Sequence, residues 1–240
     1  MQIFDESQVS QMPMAAYGHY LEPILHLAVT TGMRQIELLG LKWTDLDWVK
    51  QSIKVETQLV RPTGEGVSFT QPKTRLGKRT VVVGSGTIQV LQDHYERQNR
   101  ARHKSGENWV KYGLIFCTRY GTKIHFRSLL RDFKNILRKA GLPEIRFHDL
   151  RHTAASLMLN HGIPFIVMAR MLGQAKPSIT LDVYGHLIPS MDEVAAQKID
   201  EIVTPVELHR LHPVAPGCTE NDSQFQQDLE TPPDIATSIE

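Results

Sequence analysis

Phe147-His148-Asp149-Leu150-Arg151-His152-Thr153-Ala154-Ala155 opens the stretch that decides how this chain is read. Leu150, Ala154, Leu157 and Met158 recur at helical spacing and Gly162 stops the pattern, so a helix is expected from about Asp149 to Asn160. On such a helix His148 and Arg151, three residues apart, project from one face. An imidazole beside a guanidinium suits an oxyanion, because the fork grips two oxygens and the ring adds a donor. Two plainer readings compete with that one. His148 and His152 at i, i+4 have the spacing of a zinc helix, but Asp149 stands where that motif has Glu and no third ligand is apparent. His152 by default is a helix residue bonded to a backbone carbonyl.

Helical periodicity extends in both directions from this stretch. Upstream, Leu129, Leu130, Phe133, Ile136 and Leu137 form one apolar stripe that begins at Phe126 and is stopped by Gly141 and Pro143. Downstream, Pro164 suits a first helical turn and opens a short helix to Leu172, Pro177 can open another that contains Tyr184, and Ser190-Met191-Asp192-Glu193 has capping-box form ahead of a last helix through Val194 and Ile199. Near the start, Leu21, Ile24, Leu25 and Ala28 mark a helix ending near Gly32, and Ile36, Leu38, Leu39 and Leu41 mark a second. Between these blocks Ser52–Gln58 alternates like a strand. Val67–Phe69 and Thr80–Val83 are also strand-like, with a turn at Arg75-Leu76-Gly77-Lys78 between them. Ile88, Leu91 and Tyr95 return to helical spacing, and Ile115–Cys117 is a short strand candidate. The expected fold is mainly α with a small three-stranded antiparallel β-sheet inserted after the second helix.

Bulk properties bound the class. A chain of 240 residues with 41% apolar content has material for a substantial core. No apolar run approaches bilayer length, so no membrane partner is expected. The opening MQIFDESQVSQM lacks the basic-then-apolar form of a secretory signal. Cys117 and Cys218 form neither metal spacing nor a disulfide framework, which points to a reduced, cytoplasmic setting. Of 27 basic and 26 acidic side chains, one Arg and seven acids fall from Val203 onward, leaving 26 against 19 in residues 1–202. That basic surplus is compatible with a phosphate backbone as partner. Residues 203–240, rich in Pro, Gln, Asp, Thr and Ser, are expected to be an acidic, disordered tail beside one domain over 1–202.

Two further segments carry chemistry. In Thr31-Gly32-Met33-Arg34-Gln35-Ile36-Glu37-Leu38-Leu39 a Gly ends one helix and an Arg starts the next, where the dipole favours anions rather than cations. Alone, Arg34 reads as the partner of Glu37 on the same helix face. In Leu172-Gly173-Gln174-Ala175-Lys176-Pro177-Ser178-Ile179-Thr180-Leu181-Asp182-Val183-Tyr184-Gly185-His186-Leu187, Tyr184 alone reads as an amphipathic aromatic. Ionising a phenol of pKa ~10 at pH 7 takes on the order of 4 kcal/mol, so a nucleophilic Tyr needs cations or a base beside it.

Taken in order, T-G-x-R-x-x-E-L, a P-K-T β-hairpin, H-D-L-R-H-T, L-G, and a Tyr within T-L-D-x-Y-G-H resemble the catalytic domain of the tyrosine recombinase (phage integrase) family along most of residues 1–200. The resemblance implies that Arg34 and Arg151 clamp the scissile phosphate. Tyr184 attacks phosphorus, giving a 3′-phosphotyrosyl link and a free 5′-hydroxyl. Lys73, in Gln71-Pro72-Lys73-Thr74, protonates the leaving oxygen, and His148 assists proton transfer or bonds the phosphate. Glu37 and Asp149 hold the arginines and the helix start in place. The neighbouring Arg75, Lys78 and Arg79 read as phosphate contacts that set affinity and salt dependence. Two arginines do what metal ions do in other phosphoryl-transfer sites, so no cofactor is implied. The implied partners are double-stranded DNA and further recombinase protomers in a tetrameric synapse. A type IB topoisomerase uses similar residues, but the L-D-V-Y-G-H-L context favours a recombinase.

Two departures qualify the match. Gln174 follows the L-G where the family has His or Trp. An amide still donates a hydrogen bond but carries no charge, which leaves a catalytically impaired DNA-binding module as the alternative. Family members also place a helical core-binding domain ahead of the catalytic one. Residues 1–20 are too few to build it, so the sequence is expected to be part of a longer protein.

Overall fold

The computed structural model describes residues 3–60, 68–72, 77–174, 196–200 and 202–203. Lys73, Thr74, Arg75, Leu76, Val67, Pro177, Tyr184, the capping box at Ser190 and the acidic stretch from Thr204 lie outside the described residues. The chain divides into two units, Met1–Met191 and Asp192–Glu240. In the second, residues 196–200 and 202–203 are helical and Ile199 is exposed.

Helix α1 (Glu6–Ala15) starts with a reciprocal cap: the Gln8 N–H donates to Asp5 Oδ1 at 2.8 Å and the Asp5 N–H to Gln8 Oε1 at 3.1 Å. The sequence reading assigned no element here, because only Met12 of this helix is buried and no apolar stripe announces it. Helix α2 (Glu22–Thr31) buries Ile24, Leu25, Leu27 and Ala28 together, the pattern of a central helix rather than a surface one. It packs against α1, α3 (Gln35–Gly40), α4 (Ser85–Ser105) and α6 (Asp149–Asn160).

Gly32 ends α2 in the left-handed conformation at φ 63°, its N–H donating to Ala28 O at 3.0 Å. A Cβ there would collide with Leu172 Cδ2 and touch Ala154 Cβ at 3.5 Å. Gly32→Ala combines left-handed strain with overpacking, each worth about 1–2 kcal/mol or more, so a loss of roughly 2–4 kcal/mol in urea unfolding is expected. Unchanged stability would mean the α2–α3 corner is not fixed by this contact.

Strands β1 (Leu46–Asp47), β2 (Ser52–Val55) and β5 (Arg79–Val82) form the antiparallel three-stranded sheet in the order β1-β2-β5. The expected P-K-T hairpin is not made from neighbouring strands. The strand near Phe69, β4 (Ser68–Thr70), pairs instead with β3 (Gln58–Val60) in a separate two-stranded ribbon. Register explains the split: β2–β5 pairing sets buried Ile53 opposite buried Val81, and β3–β4 pairing sets Leu59 opposite Phe69. The third strand of the sheet is β1, two residues long and too short to show alternation.

Ile115–Cys117 is not a strand. Only single bridges occur nearby, Lys42 with Leu114 and Cys117 with Lys123. Ile115 is fully buried, and its carbonyl accepts from Gln98 Nε2 at 2.8 Å and lies 2.7 Å from His94 Nε2. Side chains of α4 thus satisfy the backbone that a strand partner would otherwise serve.

His94 turns inward where the sequence pattern had placed Tyr95, which is exposed. A carbonyl accepts only, so Nε2 carries a proton. Burial first of all, with Arg97 assisting, holds the His94 pKa down at about 4, against the contact to Ile115 that raises it. A pKa lowered on folding means stability is full above the unfolded value near 6.5 and is lost as pH falls toward 4. Roughly 3 kcal/mol is expected to disappear over that interval. Urea midpoints at pH 7 and pH 4.5 measure it, and His94→Gln, which keeps a donor but cannot protonate, should flatten the difference.

Helix α5 (Phe126–Lys139) buries Leu129, Phe133, Ile136 and Leu137 as the stripe implies, with Leu130 turned outward. Its end at Ala140 is followed by Gly141 at φ 66°. A short helix α7 (Phe165–Leu172) follows Pro164 and ends at Gly173, φ 64°. Ala155 and Leu159 of α6 join Met168 and Leu172 of α7 in a small apolar cluster. Leu172 of that cluster lies against Gly32 at the α2–α3 corner. Among the described residues no helix is long and apolar enough to cross a membrane.

Candidate active site

Arg34 is the N-cap of α3, held in extended backbone at φ −70°, ψ 150°. Its N–H donates to Glu37 Oε2 and its Nη1 to Glu37 Oε1, both at 2.9 Å. The side chain stays 37% exposed while that of Glu37 is 1% exposed. Both the plain reading of Arg34, as the partner of Glu37, and an open guanidinium face are therefore present in one geometry.

Glu37 has a second cation that the sequence reading did not assign to it. Arg79 Nη1 donates to Oε1 at 3.1 Å and Nη2 to Oε2 at 3.0 Å, a fork-on-carboxylate pair with the arginine side chain 4% exposed. Burial pushes the Glu37 carboxyl up, but the hydrogen bonds and charge of Arg79 and then the contacts of Arg34 outweigh it, and the group sits below the ordinary carboxylate range. The sequence alone reads Arg79 as a phosphate contact. Its donors face inward: Nε also bonds Met171 O at 2.6 Å and Nη1 bonds Gly77 O at 3.3 Å. Lys78, by contrast, is exposed, with Nζ 2.8 Å from Gln71 Oε1.

Arg151 is 5% exposed. Its Nη1 donates to Gly32 O at 2.8 Å and its Nη2 to Leu172 O at 2.7 Å. Both acceptors are carbonyls at helix C-termini, which lack intrahelical partners and carry the negative end of the helix dipole. Two buried arginines therefore hold successive carbonyls of α7, Arg79 on Met171 and Arg151 on Leu172. The chain leaves α7 through Gly173 into half-buried Gln174, whose N–H donates to Ala169 O at 3.1 Å. Gln174 is thereby delivered beside the two arginines from 23 and 95 residues away in sequence.

His148 is exposed at the N-cap of α6, its ring meeting that of His152 edge to face at 5.2 Å. Partial burial, then the charge of Arg151, with smaller contributions from Arg34 and Arg146, hold the His148 pKa below its ordinary value against the pull of Asp149. The same two guanidinium groups act on the ring, so Arg34, Arg151 and His148 border one region.

Asp149 is paired with Arg146. Its carboxylate accepts from the Arg146 N–H at 2.9 Å, from Nε at 3.1 Å and from Nη2 at 2.8 Å. Arg146, three residues before Asp149, is 75% exposed and was missed, although the i,i+3 pairing was visible in Arg146-Phe147-His148-Asp149. Among the described residues no group of three or more His, Cys, Asp or Glu is placed to hold a metal ion. Lys73, Arg75 and Tyr184 fall outside the described residues.

Comparison with known proteins bears on what this arrangement does. A family model described as the phage integrase family matches residues 2–190. A XerC-like tyrosine recombinase of Caldanaerobacter subterraneus subsp. tengcongensis is 34% identical over 213 residues, 84% of this chain and 54% of that protein. The ICEBs1 integrase of Bacillus subtilis is 29% identical over 177 residues, 74% of this chain and 48% of its own length. The chain spans about half the length of the curated relatives it matches. Among solved structures, the Tn1549 transposon integrase in complex with transposon right-end DNA is similar with a TM-score of 0.68 at 22% identity, covering 81% of this chain and 66% of that one. The crystal structure of XerA recombinase is similar with a TM-score of 0.61 at 20% identity, covering 85% of this chain and 66% of that one. At these identities the structural likeness concerns the fold.

Proposed function

This chain belongs to the phage integrase family, and on that premise we propose that it is a site-specific DNA recombinase of the tyrosine type. In this reading residues 1–202 are its catalytic domain. The carrying observation is the cationic cup in which Arg34 offers an open guanidinium face, Arg151 is locked to Gly32 and Leu172 carbonyls, and His148 stands in the field of both.

A phosphodiester carries one negative charge on two non-bridging oxygens, and that charge grows in the transition state of in-line transfer. Arg34 and Arg151 neutralise it, fixed in place before substrate arrives. Tyr184 attacks phosphorus, Lys73 protonates the departing 5′-oxygen, and His148 holds or moves a proton at the phosphate. The tyrosyl ester formed is again a phosphodiester, so bond energy is conserved and the strand is resealed by reversal without ATP. Two guanidinium groups supply the charge, and the proposal needs no cofactor. Duplex DNA and other protomers in a tetrameric synapse are the partners, and the reduced cytoplasm is the setting.

The test is covalent capture. Nicked duplexes of randomised sequence, in which the cleaved strand's short end diffuses away, are incubated with the full chain and resolved in denaturing gels. A protein–DNA adduct supports the enzyme. Tight binding with no adduct supports the second reading, favoured by Gln174, in which the fold binds DNA without cutting it.

A further inference from the structure

We propose that Arg79 is a positioning residue of this site, acting on the scissile phosphate only through Glu37 and the end of α7. The inference rests on the recombinase reading of Arg34 and Arg151, and it assigns Arg79 a role that its surroundings in sequence conceal.

The geometry is that of a clasp. From strand β5, Arg79 reaches Glu37, 42 residues away, through two parallel bonds, and Met171 O, 92 residues away, through Nε. Glu37 in turn holds both the backbone N–H and the Nη1 of Arg34. One buried guanidinium therefore ties the start of α3, which carries Arg34, to the last turn of α7, which leads into Gln174. It also bonds Gly77 O in the segment that follows Lys73. The fit against α7 is close: a Cβ at Gly173 would lie 2.8 Å from Arg79 Nη1 and 3.0 Å from its Cδ. The glycine of the L-G pair is thus explained by the approach of Arg79 as well as by its φ of 64°.

Stability alone does not call for such a pair. Removing two charges from water is expensive, and apolar residues of similar volume commonly serve as well or better. Apolar residues cannot fix the two oxygens of Glu37, on which the orientation of Arg34 depends. Lys in place of Arg79 would keep the charge but not the fork.

The experiment compares wild-type protein with Arg79→Lys. Single-turnover adduct formation is measured at saturating nicked DNA, DNA affinity is measured across a salt series, and amide hydrogen exchange is followed in the free protein. Misplacement on the order of 1 Å costs about 10²-fold, so the saturated rate should fall by about tenfold to a hundredfold. DNA affinity should stay within about twofold and the slope of log affinity against log salt should not change. Combined with Arg34→Lys, the loss should be smaller than the product of the two single losses, because both act on one group. Exchange should quicken at two places distant in sequence, the start of α3 around Arg34 and the end of α7 around Gly173, and not in α5.

An unchanged rate with a salt slope shallower by about 0.9 would make Arg79 a phosphate contact and overturn the proposal. So would multiplicative losses with Arg34→Lys, or unchanged exchange at both segments. Should Arg79→Lys fail to fold, Glu37→Asp carries the same test, since it keeps both charges and shortens the link to Arg34. If wild-type protein forms no adduct the recombinase reading fails, and hydrogen exchange still decides whether Arg79 positions α3 and α7.

Discussion

Tyr184→Phe is expected to bind nicked duplexes as tightly as the wild-type chain and to form no covalent adduct with them. The substitution removes one oxygen and leaves the ring, so the folded framework should be unaffected. An unperturbed phenol ionises near pH 10, and making it a phenolate at pH 7 takes on the order of 4 kcal/mol. Cations at the phosphate must meet that requirement, and Arg34, Arg151 and Lys73 are the candidates. Removing a nucleophile of this kind typically lowers the rate by several orders of magnitude. Here the adduct itself contains the lost oxygen, so the expected signal is none. Denaturing gels of wild-type and variant protein on the same nicked library decide the point. Adduct undiminished in the variant would place the nucleophile elsewhere.

The sequence alone carried most of the helical framework, because most helices advertised themselves locally. Gly32, Gly141 and Gly162 marked ends, Pro164 marked a start, and Leu129, Phe133, Ile136 and Leu137 marked a buried face. Helix α1 was silent because Met12 is its one buried residue; its capping pair, Asp5 and Gln8, was the signal available. Strand β1 is two residues long and has no periodicity to detect. Strands β4 and β5 looked like the two arms of one hairpin because they are neighbours in sequence, whereas apolar register sends them to different partners.

The site divides along the same line. Arg34, His148 and Arg151 were named from motifs that resemble the family's. Arg79 was not, because its meaning lies in Glu37 and Met171, which no spacing rule connects to it. A run of basic residues such as Arg75, Lys78 and Arg79 reads as a solvated, DNA-facing patch. In fact alternation along β5 turns the guanidinium of Arg79 inward, while Lys78 stays exposed. Charge composition reports how many cations a segment holds, not which of them are buried.

Glu37→Ala should be the most destabilising single change among the charged residues of the site, by about 3–5 kcal/mol in urea unfolding at pH 7. It leaves the Arg79 guanidinium, 4% exposed, without its carboxylate and the Arg34 N–H without its acceptor. Arg34→Ala breaks an ion pair with the same carboxylate, yet its side chain is 37% exposed and water replaces what is lost. That change should cost less than about 1 kcal/mol. The contrast separates burial from mere pairing. Glu37 is also held below the usual carboxylate range, so its contribution is present above the unfolded pKa near 4.5 and is lost as pH falls below it. In Glu37→Ala that part of the acid sensitivity should be gone. The double change Glu37→Leu with Arg79→Met removes both charges and should restore much of the stability, because no buried ion is left alone. It should not restore strand cleavage, because nothing then orients Arg34. Equal, small losses for Glu37→Ala and Arg34→Ala would mean that the buried pair is not what holds this corner, and recovery of cleavage in the double variant would mean that Arg34 needs no holding.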